Sequence, residues 1–366
     1  MRNARDLAWM DMAYGLAEKA LGGVSPNPHV GAVVVRDGRV VGFGHHEGPG
    51  QPHAETVALR RAGRRARGAT LYVTLEPCVH WGRTPPCLEA VVASGVGRVV
   101  VSTIDPNPAV RGRGLRGLRR AGIAVELGAR AERGRRFNEA YAKWITTRRP
   151  FVTLKAALSL DGKLATKTFQ SGWISGPGTR DYMHLVRAEH DAVLVGARTA
   201  GADDPLLSVR HPNWPGRKIV RAVLDPELRL SARARLLRTP AAGPVLLFAN
   251  ARAPARKVEA LAGRGAEIVV LPGRSGDLDL GRVLEALGER GVASVLIEGG
   301  GSVAASVLDG RLADKVLLSF SPRLIGGREA VAFYAGEGAA SLGEALRLSR
   351  LSTVRLGEDI VMEGYF

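Results

Sequence analysis

TLYVTLEPCVHWGRTPPCLEAVVASGVGRVVVSTID, residues 70–105, sets the fold class of the first part of the chain. Two short apolar, β-branched runs, one ending at Glu76-Pro77 and the other at Asp105, enclose a stretch from Cys87 to Ser94 with helical spacing. A strand, a helix and a strand in that order predict a βαβ unit, whose functional residues gather at strand ends and helix starts.

The same alternation continues on both sides. Upstream, residues 7–21 place Leu7, Met10, Ala13, Tyr14, Ala17, Ala20 and Leu21 at helical spacing. GAVVVRDGRVVGFG (31–44) then predicts a hairpin turning at Asp37-Gly38, and a helix is expected over Ala54–Ala62. Downstream, a helix ending near Gly122 and a short strand IAVEL complete the set. A polar, basic stretch from Arg130 to Arg149, ending at Pro150, reads as helix and linker.

After the linker a new series begins: FVTLKAALSLDG, HDAVLVGA, IVRAVLD, PVLLFAN, EIVVLP, SVLIEGGG, DKVLLSFSP and DIVMEGYF. Several of these are almost wholly apolar, as expected of a central sheet covered on both faces. With 366 residues the chain exceeds the size at which one core stops growing. Two α/β domains are expected, 1–146 and 147–366, and no internal repeat is apparent.

Composition narrows the function classes. The chain is 45% hydrophobic and 24% charged, as in folded globular enzymes. It has no apolar run long enough to span a membrane and no apolar signal core near Met1, so a cytoplasmic protein without membrane contact is expected. The net charge of +17 raises the question of nucleic acid, but the arginines are scattered over both halves on helix faces and aromatics are only 5%. No nucleic-acid partner is expected, and the sequence leaves room for a homo-oligomer. A nucleic-acid-binding protein with a structural zinc is the rival from another class; binding that weakens steeply with salt would favour it.

The chemistry concentrates in His53-Ala54-Glu55 at a helix start, Glu76-Pro77-Cys78 and Cys87. One imidazole and two thiolates are three ligands for a tetrahedral zinc, leaving the fourth position open to water, which is the pattern of a catalytic site. Glu55 is the candidate proton shuttle. His80, two residues after Cys78, is the rival fourth ligand that would close the site and make it structural. A disulfide between Cys78 and Cys87 is the less favoured reading in a reducing compartment.

The nine-residue step from Cys78 to Cys87, with Gly82-Arg83-Thr84-Pro85-Pro86 inside it, resembles the pyrimidine deaminase half of the bifunctional riboflavin-biosynthesis enzymes. Nucleoside and tRNA deaminases use a shorter Cys-x-x-Cys. Ser25-Pro26-Asn27-Pro28-His29-Val30-Gly31, His46 and Asp105-Pro106-Asn107-Pro108 carry the same resemblance. It implies a cytidine-deaminase-like αβα sandwich in which Asn27, His46, Arg83, Asp105 and Asn107 surround a small phosphorylated pyrimidine, with zinc on His53, Cys78 and Cys87. Taken by themselves, Asn27 and Asn107 are equally suited to turn formation before proline.

The second half resembles the dihydrofolate-reductase-like α/β domain of the same enzymes. The residues that carry this are Lys155, Ser159-Leu160-Asp161-Gly162, Ser171-Gly172-Trp173, Arg187 to Gly196, Ala202 to Arg210, Glu298-Gly299-Gly300-Gly301 and Pro322 to Gly327. The resemblance implies NADPH against Ala157, Trp173, Thr199, Asp203, Gly299, Gly300 and Gly301. It also implies substrate against Lys155, Ser171, Arg187, Leu207, Arg210 and Glu298, with the arginines suited to its phosphate. Physically, the triglycine turn lets backbone amides approach a pyrophosphate at a helix start, but such a turn also serves as a plain connector. Core packing for Trp173 and ion pairs for Arg187 and Lys155 are the ordinary alternatives. The implied function is hydrolytic deamination of 2,5-diamino-6-(5-phosphoribosylamino)pyrimidin-4-one, followed by NADPH-dependent reduction of its ribosyl group to ribityl.

Overall fold

The computed structural model describes residues 4–170, 174–214, 216–272 and 278–366. The chain divides into two units between Arg148 and Arg149.

In the first unit, α1 (Ala4–Ala17) precedes the hairpin β1 (Gly31–Arg36) and β2 (Arg39–His45). Then come α2 (Ala54–Ala62), β3 (Thr70–Leu75), α3 (Cys87–Ala93), β4 (Arg98–Thr103), α4 (Arg113–Arg120), β5 (Ala124–Leu127), α5 (Ala131–Phe137) and α6 (Glu139–Thr147). The sheet order is β2-β1-β3-β4-β5. β1 is antiparallel to β2 and β3, whereas β3, β4 and β5 run parallel. Asp37 and Gly38 turn the hairpin with positive φ at both residues, the twist that a two-residue connection needs. Alternate strand residues face opposite layers. Ala32, Val34, Leu71, Val73, Val99 and Val101 pack with α2, α3 and α4. Val33, Val35, Tyr72 and Val100 pack with α1 and Phe137. Gly42 and Gly44 let α2 lie directly on β2, since a Cβ on Gly42 would stand 2.2 Å from the Ala58 carbonyl oxygen. That close contact fixes the height at which the first turn of α2 presents His53 and Glu55.

In the second unit the elements are β6 (Phe151–Ser159), β7 (Lys163–Ala165), α7 (Pro177–Glu189), β8 (Ala192–Gly196), α8 (Ala197–Asp203), β9 (Val220–Leu224), β10 (Val245–Asn250), α9 (Ala255–Ala262) and β11 (Ala266–Leu271). They are followed by α10 (Leu280–Glu289), β12 (Ser294–Ile297), α11 (Gly301–Asp309), β13 (Lys315–Ser321), β14 (Val331–Ala332), β15 (Ser349–Leu356) and β16 (Asp359–Tyr365). The main sheet has the order β11-β10-β9-β8-β12-β6-β13-β16-β15. Its strands are parallel from β11 to β13, and the β15–β16 hairpin closes it antiparallel. β8, β10 and β12 are buried along their whole length, as their unbroken apolar runs predict for a sheet covered on both faces.

β6 and β8 are consecutive among the strands of the main sheet, yet β12 lies between them. Strand order therefore reverses at this point, and a crevice opens beyond the carboxyl ends of β6, β8 and β12, where ligands of open parallel sheets bind. Among the described residues, no helix is long and apolar enough to cross a membrane.

Candidate active sites

In the first unit, three donor atoms converge. His53 Nδ1 lies 3.0 Å from Cys87 Sγ and 3.5 Å from Cys78 Sγ, and the ligand atoms of all three residues are within 4.8 Å of one another. His53 caps the start of α2, Cys87 opens α3, and Cys78 follows the end of β3, so the cluster sits where sheet and helices meet. Hydrogen bonding from Cys87 pulls the Cys78 thiol down, to about 4. The hydrogen bond with Cys78, together with burial, pushes Cys87 well above its ordinary range. Two thiolates this close need a shared counter-charge, and a dication supplies it. The donor set therefore fits zinc. His80 is exposed and takes no part in the cluster.

Glu55, in the first turn of α2, is almost fully buried, and burial pushes its carboxyl up to about 7. Around it the structure brings together most of the residues read from the sequence. Asn27 Nδ2 bonds His46 Nε2 at 3.0 Å, and the buried His46 ring packs edge-on against His53, 5.2 Å between centroids. Asp105 accepts from the Asn107 backbone at 2.8 Å and from the Tyr141 hydroxyl at 2.9 Å. Asn107 also makes the turn that its sequence context suggested, through Oδ1 to the Ala109 amide at 3.0 Å. Arg83 is exposed on the loop between the cysteines, and its neighbour Thr84 reaches His53 Nε2 at 3.1 Å.

Sequence reading gave Glu76 no role beyond its place in the motif, and it did not find Tyr141. Glu76 is buried and accepts backbone N–H bonds from Asp105 (3.2 Å), Gly112 (2.8 Å) and Leu115 (3.1 Å). It thereby ties the strand end that carries Cys78 to the Asp105 loop and to the start of α4. Nothing local in the sequence marks it, because its partners are the amides of distant residues.

Burial raises the Asp105 carboxyl to about 6. Its folded-state value lies above its ordinary one, so its contribution to stability is present in acid and is lost as pH rises through about 6. Asp105→Asn keeps an oxygen for both donors and removes that penalty. The variant should melt higher than wild type at pH 7.5, by an amount equivalent to about 1–3 kcal/mol, and the gap should shrink toward pH 5. Calorimetry of the full chain across that range checks this; an equal gap at every pH would count against it.

In the second unit, a cavity of about 810 Å³ occupies the crevice. Lys155, Ala157, Arg187, Thr199, Asp203, Leu207, Arg210, Glu298, Gly299, Gly300 and Gly301 all line it. Ser171 and Trp173 lie outside the described residues. Arg187 grips Glu298 with two hydrogen bonds of 2.9 Å, and Lys155 Nζ stands 3.8 Å away. Burial opposes the Glu298 charge, but Arg187 and Lys155 outweigh it and hold the carboxyl below its ordinary range. α11 starts at Gly301, and Gly301, Ser302 and Val303 of its first turn line the crevice. A Cβ on Gly299 would meet Val303 at 2.6 Å, and one on Gly301 would meet the Ala332 carbonyl oxygen at 2.4 Å, so packing itself demands glycine at both positions. A Cβ on Gly300 would meet only Thr199 Oγ1, at an ordinary contact distance of 3.7 Å, so packing does not demand glycine there and its bare backbone is open to a pyrophosphate. The cavity size suits a dinucleotide together with a small substrate.

His184 escaped the sequence reading. It lines the same cavity, and its Nε2 is 3.2 Å from an Arg210 guanidinium nitrogen. Burial, with Arg187 and Arg210 adding, pushes its imidazole down to about 4. Its i, i+3 spacing to Arg187 on α7 was the available signal.

Residues 150–362 match the family described as RibD C-terminal domain, and residues 3–103 match the cytidine and deoxycytidylate deaminase zinc-binding region. Riboflavin biosynthesis protein RibD of Aquifex aeolicus is 42% identical over 357 residues, covering 98% of this chain and 97% of that protein.

This chain belongs to the RibD family.

RibD of Acinetobacter baumannii (form 1) superposes with a TM-score of 0.88 at 37% identity, covering 99% of this chain and 98% of that one. A Thermotoga maritima structure, described as diaminohydroxyphosphoribosylaminopyrimidine deaminase/5-amino-6-(5-phosphoribosylamino)uracil reductase, gives a TM-score of 0.85 at 35% identity, covering 99% and 98% of the two chains. As a RibD, the chain is a bifunctional enzyme of riboflavin biosynthesis, with a zinc-dependent cytidine-deaminase-like domain and an NADPH-dependent reductase domain. The two α/β units are those domains' folds.

Proposed function

We propose that the two RibD reactions are divided between the two sites described above, with named residues in each role. The observation that carries the reading is the buried Glu55 carboxyl standing beside the His53, Cys78 and Cys87 donor cluster.

In the first unit, His53, Cys78 and Cys87 hold zinc, which when bound supplies the Lewis acidity that makes water nucleophilic at neutral pH. Asn27, His46, Asp105 and Asn107 orient the diaminopyrimidine by hydrogen bonds to its ring edge and sugar, and Arg83 pairs with its phosphate. Glu55 moves a proton from the attacking water to the departing 2-amino nitrogen. The C–N bond breaks, ammonia leaves, and a carbonyl remains on the ring.

In the second unit, Ala157, Thr199, Asp203 and the Gly299–Gly301 turn hold NADPH, whose bound nicotinamide supplies the hydride for the sugar carbon. Trp173 belongs to the same set. Ser171, Leu207, Arg187 and Arg210 position the substrate, with Arg210 toward the phosphate. Lys155, beside Glu298, contacts the sugar near the carbon that is reduced. The bond from the ribosyl C1′ to the ring oxygen breaks, C1′ gains the hydride, and the freed oxygen gains a proton, which gives the open-chain ribityl group. The working compartment is the cytoplasm, and the partner is the small phosphorylated pyrimidine.

The test is to incubate the purified enzyme with the diamino substrate and follow ammonia and product mass. Without NADPH the uracil form accumulates; with it, the ribityl product appears. Cys87→Ser should lose its zinc, about one per chain, together with ammonia release, yet still reduce the uracil substrate. Full ammonia release from metal-free enzyme, or loss of both reactions in this variant, would overturn the division.

A further inference from the structure

Between the two cysteines the chain carries a side chain that the zinc reading does not use. His53 turns Nδ1 toward the sulfurs, at 3.0 Å from Cys87 and 3.5 Å from Cys78. A ring nitrogen ligates a metal only when it bears no proton, so the proton of the neutral imidazole sits on Nε2. Thr84 Oγ1 stands 3.1 Å from that nitrogen. We propose that Thr84 is the positioning residue of the metal centre: its hydroxyl accepts from His53 Nε2–H and fixes both the tautomer and the ring plane that aim Nδ1 at the sulfurs. This rests on the reading of His53, Cys78 and Cys87 as the zinc ligands.

The surroundings support this role. The Thr84 hydroxyl is presented by a tied segment. Gly82 N donates to the Thr84 carbonyl at 3.2 Å, Leu88 N to the Cys78 carbonyl at 3.1 Å, and Cys87 N to Cys78 Sγ at 3.3 Å. Pro85 and Pro86 follow, with their φ angles fixed by the ring. The other group against the imidazole, His46, is already engaged at both nitrogens, with Asn27 Nδ2 at 3.0 Å and the Pro52 carbonyl at 3.3 Å. Among the described residues, Thr84 Oγ1 is the partner of His53 Nε2.

The same contact explains the loop. Thr84 lies six residues beyond Cys78 and three before Cys87, positions that a two-residue Cys-x-x-Cys connection does not contain. The longer loop can leave one ligand, return a hydroxyl to another, and reach the third. It also anchors the segment bearing Arg83 to the metal centre, so one hydrogen bond couples metal geometry to the arginine proposed for the substrate phosphate.

Zinc affinity of the full-length chain, measured by competition with a chelator of known affinity, tests the proposal. Thr84→Val keeps the shape and removes the hydroxyl, whereas Thr84→Ser keeps the hydroxyl and removes the methyl. The valine variant should bind zinc roughly 10–100-fold more weakly, as loss of a partner that orients a ligating histidine does, and the serine variant should stay near wild type. Circular dichroism of each variant, compared with that of wild type, shows that the first unit is folded. Wild-type affinity in the valine variant, or equal loss in both variants, overturns the proposal. His53→Ala separates the two levels. If it binds zinc as wild type does, the ligand reading fails and takes the proposal with it; if it loses zinc while Thr84→Val does not, the proposal alone fails.

Discussion

Glu55→Gln should lower ammonia release by about 10²–10⁴-fold, the range expected for removing a positioned proton-transfer group. Zinc content should be unchanged, because the amide occupies the same volume and Glu55 lies outside the three-donor cluster. Reduction of the separately supplied uracil substrate should also be unchanged. The size of the effect follows from placement. Glu55 is 3% exposed in the first turn of α2, held there by the close seating of that helix on Gly42 and Gly44. Water has little access to replace it. Asp105 is the other buried carboxyl near the site with a raised value, and it accepts two hydrogen bonds that fix it toward Asn107 and Tyr141. Asp105→Asn should therefore act mainly on the Michaelis constant and Glu55→Gln mainly on kcat. Zinc content, ammonia release and NADPH consumption measured on the same preparations decide the matter. Deamination within tenfold of wild type in Glu55→Gln, or loss of zinc alongside activity, would reassign the proton transfer.

The second large effect is expected at Arg187. Its guanidinium is 14% exposed and Glu298 is 16% exposed, so the pair sits in a poorly solvated setting with Lys155 as the third charge. Arg187→Leu leaves the carboxylate facing only the lysine at 3.8 Å. Breaking a buried pair from one side costs about 3–5 kcal/mol, because the remaining charge is left without compensation. The melting transition of the second unit should fall by roughly 2–4 °C for each kcal/mol. Reduction should fall as well, since the fork also bonds the Ser208 carbonyl at 2.8 Å and thereby holds the segment carrying Leu207 and Arg210. Ammonia release should not change. A double variant, Arg187→Leu with Glu298→Leu, separates the two consequences: stability should partly return, because the orphaned charge is gone, and reduction should not. If Arg187→Leu melts as wild type does, the cluster does not act as a coupled network.

Much of this enzyme was legible in the sequence because the relevant signals are local. Strand runs such as Ala192–Gly196 and Val245–Asn250 are apolar throughout since both their faces are covered, and that requirement is written residue by residue. The donor cluster proposed for zinc is legible for a similar reason: imidazole and thiolate are the few side chains that serve a tetrahedral site, and they stand at strand ends and helix starts. The edge strand Ser349–Leu356 was missed, because it is exposed almost along its length and carries no buried stripe to betray it. Nor does periodicity reveal that β12 inserts between β8 and β6, which creates the reductase crevice. Glu76, Thr84, Tyr141 and His184 also became visible only in three dimensions. Their partners are 39, 31, 36 and 26 residues away, respectively, at Leu115, His53, Asp105 and Arg210. A sequence records what each segment must bury and which atoms can ligate. Which distant polar groups satisfy one another is decided when the segments close together, since a hydrogen bond depends on a few ångströms of separation that no local pattern encodes.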